Sequence, residues 1–117
     1  MQHFSKLQVW QRSHALVLTI YKLTAAFPSG EKFGLTSQLR RAALSVPTNI
    51  AEGSKRLTNN DFARFLNIAE GSLSETEYLL IVSKDLGYLA APAATGSLKE
   101  ACEILKMLHS LRQKVLH

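Results

Sequence analysis

Four stretches of the chain carry apolar residues at alternating spacings of three and four, and this pattern is the strongest constraint on its fold. Such spacing places the apolar side chains on one side of an α-helix. It predicts helices near residues 7–26, 35–55, 61–86 and 97–115. No stretch of comparable length alternates apolar and polar residues as a half-buried strand does. The sequence therefore predicts an all-α protein, an antiparallel up-and-down four-helix bundle with short connections.

Three short breaks separate the predicted helices. Phe27–Pro28–Ser29–Gly30 ends the first, because proline and glycine interrupt a helix. Residues 58–61, Thr-Asn-Asn-Asp, supply the short polar side chains that cap a helix start. Residues 90–96 predict a turn, and Ser97 with Glu100 has the spacing of a capping box. The fourth helix is therefore expected to begin near residue 97.

Two residues inside the predicted helices are poor helix formers. Pro47 removes the hydrogen bond to the carbonyl of Ala43 and predicts a kink, yet the periodicity continues through Ile50. We therefore keep residues 35–55 as one helix. Gly71 costs about 1 kcal/mol relative to alanine in a helix interior. A glycine at this position predicts close contact with a neighbouring helix.

Length and composition favour one small intracellular domain. The 117 residues suit a single domain, predicted to span residues 1–117. Because Cys102 is the only cysteine, an internal disulfide and a multi-cysteine zinc site are excluded. No run of about 18 apolar residues is present, and the start of the sequence lacks the apolar core of a signal peptide. We expect a cytoplasmic location.

Charge is distributed unevenly along the chain, whose formal net charge is +5. Residues 1–28 hold three basic and no acidic side chains, and residues 29–56 hold five basic and two acidic ones. Residues 57–90 hold two basic and five acidic side chains. Two interpretations stay open: attraction between unlike helices, or an electrostatic footprint for nucleic-acid phosphates. The candidate nucleic-acid-binding residues are Lys6, Arg12, Lys22, Arg40, Arg41, Lys55 and Arg56.

The stretch RRAALSVPTNIAEG, residues 40–53, is the most distinctive part of the sequence. A polar side chain at the flank of a core must find hydrogen-bond partners. We therefore predict a structural polar network that sets the register of the helices, made of Gln38, Asn49 and Glu52. For Arg40 and Arg41, a structural role and a ligand-facing role stay equally open.

The sequence lacks the spacings that common catalytic sites require. It contains no Glu-x-x-His pair, glycine-rich phosphate loop, His-Glu-x-x-His motif or nucleophile elbow. Glu75 and Glu77 point to different faces of a helix. Arg112 and His117 form an Arg-x4-His pair similar to that of small helical endoribonucleases of the HEPN superfamily, but Gln113 departs from that pattern. We predict no enzymatic activity, no metal and no cofactor.

Several motifs follow one another in a definite order between residues 4 and 82. They are Leu7-x-Val9-Trp10, Ile20-Tyr21, Phe27-Pro28, Phe33-Gly34-Leu35-Thr36-x-Gln38-Leu39-Arg40-Arg41-Ala42-Ala43, Ser45-Val46-Pro47-x-Asn49-Ile50-Ala51-Glu52-Gly53 and Phe62-x-x-Phe65-Leu66-x-Ile68-Ala69-x-Gly71-Ser72-Leu73. In order and spacing they resemble the bacterial four-helix-bundle family encoded by intervening sequences in 23S ribosomal RNA genes. Two departures are Ser74–Glu77, in place of a usual Glu-Leu-Glu ending, and Lys55, where a glycine often precedes Arg56.

The resemblance implies an up-and-down bundle that assembles as a homopentamer. It also implies a relationship to the accessory variability proteins of diversity-generating retroelements, which bind nucleic acid and a reverse transcriptase. Five copies would raise the net charge to about +25, a strong attractor for polyanions. A ring would also explain why the first helix is apolar along two lines. The second line gives the candidate subunit-interface residues Val9, Leu16, Ile20, Leu23 and Phe27.

Three functional hypotheses follow. The leading one is a non-enzymatic oligomer, with a pentamer favoured, that binds structured RNA or an RNA–DNA intermediate. The alternative is a protein-interaction scaffold, for example for a reverse transcriptase or another polypeptide. The third is a small ribonuclease that uses Arg112 and His117. The sequence leaves the identity of the ligand, the symmetry of the oligomer and the biological role open.

Overall fold

The computed structural model describes residues 3–117 and shows four α-helices. They are α1 (Gln8–Thr24), α2 (Leu35–Ser54), α3 (Asn59–Asp85) and α4 (Ala91–Leu116). Two short 3₁₀ helices span Phe4–Lys6 and Ser29–Glu31. The described residues contain no strand, so the all-α four-helix prediction is confirmed. Residues 1–2 of the predicted domain lie outside the part of the chain that the structure describes.

The helices form an elongated bundle of 44 × 24 × 20 Å. Helix α3 packs most extensively, against α2 on one side and α4 on the other, while α1 contacts α2 and α4. Short connections make consecutive helices antiparallel. The starts of α1 and α3 therefore lie at the same end of the bundle as the last residues of α2 and α4.

All four helices contribute large side chains to one hydrophobic core. Removing such a side chain from water contributes about 1.5–3 kcal/mol, so this core supplies most of the favourable free energy of folding. None of the helices within residues 3–117 combines the length and apolarity that crossing a bilayer would require. The completely buried large apolar side chains are Ile20, Leu39, Val46, Ile50, Leu66, Leu73, Leu80, Ile104 and Leu108.

The predicted start of the fourth helix is wrong. Helix α4 begins at Ala91, within the stretch expected to be a turn, and Ser97 is buried inside it. The reason is the position of Pro92. A proline in the first turn costs no hydrogen bond, since the first amide groups of a helix have no acceptor within it. Pro92 therefore begins this helix instead of preventing it.

The other helix ends differ from the sequence-based prediction by one to two residues or agree with it. Helix α3 begins at Asn59 because Thr58 caps it, its hydroxyl oxygen accepting a hydrogen bond from the Asp61 amide at 3.1 Å. Helix α2 continues through the buried Pro47 from residue 35 to residue 54, as predicted.

The close helix contact occurs at a different glycine from the one predicted. A Cβ atom built on Gly71 would meet nothing within 4 Å, whereas one on Gly53 would lie 2.7 Å from the Cβ atom of Phe65. Gly53 thus allows the end of α2 to approach the start of α3. Gly71 is exposed and faces a shallow groove between α3 and α4.

Candidate nucleic-acid interface

Arg12 is held by a partly exposed ion pair between α1 and α4. Its Nε and Nη2 groups donate hydrogen bonds to the two carboxylate oxygens of Glu100, at 2.7 and 2.9 Å, and so join α1 to α4. These hydrogen bonds raise the pKa of Arg12 above its ordinary value. Two-pronged arginine–carboxylate pairs are strong and geometrically specific. Because its charge is already balanced, Arg12 is a structural cross-link in this chain.

Arg40 also has a structural position. Its Nε group donates to the Thr24 hydroxyl at 2.8 Å, and its Nη2 group donates to the carbonyl oxygen of Tyr21 at 3.3 Å. The guanidinium carbon lies 4.4 Å from the centre of the Tyr21 ring. A cation at the last turn of α1 is favourable because the carbonyl groups there lack partners in the helix. In this structure Arg40 helps to pack α2 on α1.

Arg41 has a different environment from its neighbour. Its side chain is exposed and lines a cavity of about 290 Å³ between α2 and α3, together with Gln38, Ser45 and Glu75. It forms no ion pair within residues 3–117. Lys6, Lys22, Lys55 and Arg56 are likewise exposed. Five of the seven candidate cations therefore face solvent.

Several of these cations gather at one end of the bundle, which we call the basic end. It comprises the 3₁₀ helix at Phe4–Lys6, which contacts α2, and the α2–α3 turn. The turn adds Lys55 and Arg56, and the first turns of α3 add Arg64. Like charges on one surface raise the local potential for anions, so this end is the strongest candidate phosphate-binding surface.

Arg64 was missed by the sequence analysis, because charge was summed over the whole acidic third helix. Its Nε and Nη2 groups lie 3.0 and 2.9 Å from Oδ1 of Asp61, an exposed pair three residues apart. Its guanidinium carbon lies 4.6 Å from the centre of the Phe65 ring, and that of Arg56 lies 5.6 Å from it. Counting charge turn by turn in α3 would have shown a basic residue beside the basic stretch of α2.

The predicted polar network exists only in part. The Asn49 side-chain amide donates to the carbonyl oxygen of Ser45 at 2.8 Å and to its hydroxyl at 2.9 Å. The Ser45 hydroxyl is 2.8 Å from that of Ser72, which connects α2 to α3. Gln38 and Glu52 are exposed and do not belong to this network. Ser45 and Ser72 take their place, because small hydroxyl side chains fit where two helices pack closely.

The predicted subunit-interface line lies inside the bundle instead. Helix α1 contacts two neighbouring helices, so both of its apolar lines serve the chain's own core. The exposed apolar side chains of α1 are Leu18 and Tyr21. Of the predicted interface residues, Leu23 is half-buried and the buried ones are Val9, Leu16, Ile20 and Phe27.

The geometry does not assemble a ribonuclease site from Arg112 and His117. The Arg112 Nε group donates to Oε2 of Glu70 at 2.5 Å, which raises the pKa of Arg112 and joins α4 to α3. His117 follows the last residue of α4. His109 lies beside the pair, with Nδ1 at 3.1 Å from Nη2 of Arg112. Within residues 3–117, no group of three or more metal-binding side chains comes together.

Fold and surface together define a small all-α four-helix bundle with one basic end. The chain belongs to the 23S rRNA-intervening sequence protein family, whose family model matches residues 5–110. This match confirms the family suggested by the motifs. The relationship to the accessory variability proteins of diversity-generating retroelements stays a prediction.

A solved structure shows the same fold. It is the crystal structure of a protein with unknown function from the S23 ribosomal protein family of Bacteroides thetaiotaomicron VPI-5482. The two chains are 27% identical, with a TM-score of 0.80, and the match covers 89% of this chain and 97% of that one. A comparison with curated protein sequences finds no significant match.

Proposed function

We propose that the protein is a non-enzymatic homo-oligomer, with a pentamer favoured, that binds structured RNA through the basic end of each bundle. The observation that carries this proposal is the concentration of exposed cations there. Lys6, Lys55 and Arg56 have no ion-pair partner within residues 3–117, and Arg64 has only Asp61. Cations that the fold leaves unbalanced are available for phosphates.

The comparisons link the family to ribosomal RNA by name, and the solved relative is a protein with unknown function. The family is described by its link to intervening sequences of 23S rRNA, and the similar Bacteroides protein is placed in a ribosomal protein family. The helical surface of the basic end offers cations on rigid helix ends, with Phe65 as the aromatic ring beside them. We therefore expect contacts mainly to the RNA backbone, which position the RNA with little sequence specificity.

Two unlike apolar patches support self-association. The α1–α2 patch consists of Leu18, 50% exposed, with Tyr21 and Leu44. Tyr21 contacts Arg40, and Leu18 and Leu44 each lie one turn further along their antiparallel helices. The exposed Lys22 gives the surface beside this patch a positive charge.

The second patch lies on α3 and has the opposite charge. It consists of Tyr78 and Ile81, which lie one turn apart, with Glu75 one turn before Tyr78. Contact between two different patches is heterologous, and such contacts close into a ring when the rotation between subunits permits. We propose that the α1–α2 patch of one copy packs on the α3 patch of the next.

RNA binding is tested by titrating the protein with a fluorescent stem–loop RNA at several salt concentrations. Four phosphate contacts per subunit predict a slope of about −3 in a plot of log affinity against log salt, and more in an oligomer. An affinity that does not change with salt, or no binding at low salt, would overturn the proposed ligand.

Self-association is tested by measuring the molar mass in solution by light scattering. Leu44→Glu and Tyr78→Glu place a charge in each patch and should both lower the mass to that of a single chain. Leu86→Glu, at an exposed leucine outside both patches, is the matched control and should leave the mass unchanged. A wild-type protein that stays monomeric at high concentration would contradict the assembly.

A protein-interaction scaffold is the second candidate function, with a reverse transcriptase or another polypeptide as its client. A groove of about 580 Å³ between α3 and α4 favours it, since Gly71, Ser74 and Leu105 give it a partly apolar floor. The ratio of absorbance at 260 and 280 nm of the purified protein separates the two functions. A protein partner that co-purifies without nucleic acid would favour the scaffold.

A further inference from the structure

The α2–α3 turn displays a large apolar side chain where the structure gives it no packing partner. Leu57 is 101% exposed. A single exposed leucine is common on protein surfaces. This one, however, lines a cavity of about 660 Å³ whose other walls are polar and charged. The cavity is open to solvent, because all of its lining residues except Asp61 are exposed.

The walls of this cavity combine three kinds of chemistry. Lys55, Arg56 and Arg64 provide positive charge, Leu57 provides an apolar surface, and Asn60 provides an amide with donors and an acceptor. The carboxylate of Asp61 also lines it, and the ion pair with Arg64 balances that negative charge. Three cations against one carboxylate leave the cavity positively charged.

The two arginines are held in place by the packing beneath them. Both guanidinium groups lie over the Phe65 ring. Phe65 in turn sits where Gly53 allows α2 to approach α3, because any larger residue at 53 would collide with it. Cations placed by rigid helix ends lose less conformational entropy when they bind an anion, so the cavity is preorganised for one.

We propose that this cavity binds an unpaired nucleotide of a structured RNA, with its phosphate among Lys55, Arg56 and Arg64 and its base against Leu57. A nucleotide combines a negative charge, a flat apolar face and a hydrogen-bonding edge. Paired nucleotides keep their faces stacked, whereas bulges and loops present theirs to protein side chains. The proposal rests on the proposed RNA-binding function and names the part of the RNA that the basic end recognises.

Two RNA hairpins with the same stem test the proposal, one fully paired and one with a single bulged 2-aminopurine. The wild-type protein should bind the bulged hairpin about tenfold more tightly, a difference that one partly buried leucine side chain can supply. The emission of 2-aminopurine should rise on binding, since the base leaves the helical stack. Leu57→Ala should abolish both the preference and the emission change.

Matched variants make the outcome specific. Leu57→Phe should keep the preference, because a ring offers a base an equal or larger surface. Phe33→Ala removes an exposed apolar side chain at the other end of the bundle and should change neither readout. Because Leu57 makes no packing contact, Leu57→Ala should unfold at the wild-type temperature and keep the wild-type affinity for the paired hairpin.

The outcomes separate this inference from the function on which it rests. Salt-dependent binding with equal affinity for both hairpins, or a preference that survives Leu57→Ala, overturns the nucleotide site and leaves RNA binding intact. No binding of either hairpin at low salt overturns both. A protein partner that is lost on Leu57→Ala, with RNA binding unchanged, would assign Leu57 to a protein contact and also overturn the proposal.

Discussion

The two ends of the bundle each display an exposed apolar side chain, but they differ in how their charges are balanced. At the basic end, Leu57 lies among cations that outnumber the carboxylates. The opposite end, formed by the α1–α2 connection and the α3–α4 turn, displays Phe33, which is 90% exposed. The charged residues of the α1–α2 connection and of the end of α3 balance, and we call this the neutral end; they are Glu31, Lys32, Lys84 and Asp85. Lys22 and Arg40 lie beside it, at the last turn of α1.

The Glu31 carboxylate of the neutral end has its partners within the chain. The Tyr88 hydroxyl donates to Oε2 of Glu31 at 3.0 Å, and Oε1 of Glu31 accepts from the amide of Leu35 at 3.3 Å. The ammonium group of Lys32 lies 5.4 Å from the centre of the Phe33 ring. One carboxylate therefore ties the start of α2 to the α3–α4 turn.

Exposure of an apolar side chain does not by itself identify a binding surface. Phe33 and Leu57 are both open to solvent, but three cations and one carboxylate line the cavity at Leu57, whereas Lys32 is the cation that lies against Phe33. Clustered like charges repel one another and so lower the stability of the folded state. An end that keeps such a cluster without internal partners is the better candidate for an anionic ligand.

The largest expected effect comes from removing two cations at one end of the bundle or at the other. Lys55→Gln combined with Arg56→Gln removes two cations from the basic end, and should lower the salt slope of RNA binding by about 2. Lys32→Gln combined with Lys84→Gln removes the same charge from the neutral end and should leave the slope nearly unchanged. Fluorescence anisotropy titrations with one stem–loop RNA measure both. Equal losses would show that only net charge matters.

Gly53→Ala should break the packing of the basic end. The added Cβ atom would lie 2.7 Å from the Cβ atom of Phe65 and 3.0 Å from a ring carbon of Phe62, so the helices must separate. We expect the free energy of unfolding to fall by about 1–3 kcal/mol, the usual cost of overpacking. Urea unfolding followed by circular dichroism at constant protein concentration measures it. An unchanged midpoint would mean that the contact relaxes at little cost.

Gly96→Ala provides the contrasting substitution near the neutral end. Gly96 is inside α4, and a Cβ atom there would meet nothing within 4 Å. Alanine should raise the free energy of unfolding by about 0.5–1 kcal/mol, because glycine loses more backbone entropy in a helix. The same urea titration applies, and a loss of stability would show that a neighbouring copy packs on this position.

The smallest effect concerns the hydrogen bond that closes the neutral end. The hydrogen bond to Glu31 raises the pKa of Tyr88, so the folded state favours the neutral phenol. The contribution of this hydrogen bond to the free energy of unfolding is therefore fully present below the ordinary tyrosine pKa of about 10. It is lost as pH rises through the higher pKa of the folded state. The difference in unfolding midpoint between wild type and Tyr88→Phe should shrink above about pH 10.

A matched variant at the carboxylate sharpens this last test. Glu31→Gln removes the negative charge and should lower the pKa of Tyr88 towards its ordinary value. Titrating the tyrosinate absorbance of both variants and wild type measures the shift directly. A difference in unfolding midpoint between wild type and Tyr88→Phe that grew with pH would contradict the assigned hydrogen bond.

Much of the fold follows from local patterns in the sequence. Apolar residues at spacings of three and four predicted four helices, and a family resemblance in residues 4–82 agreed with them. The start of α4 was missed because Pro92 looks like a helix breaker, although a proline in the first turn is compatible with a helix. The candidate cations Lys6, Lys22, Arg41, Lys55 and Arg56 are exposed, as a nucleic-acid surface would require.

The tertiary structure decided which charges and which apolar lines are already used within the chain. Arg12 is balanced by Glu100, which is 88 residues away, and no local pattern contains that pairing. Leu16 and Ile20 are buried because α1 lies against two helices, a fact that depends on how all four pack. Sequence periodicity determines which side of a helix is apolar, whereas long-range packing determines how much of that side remains for a partner.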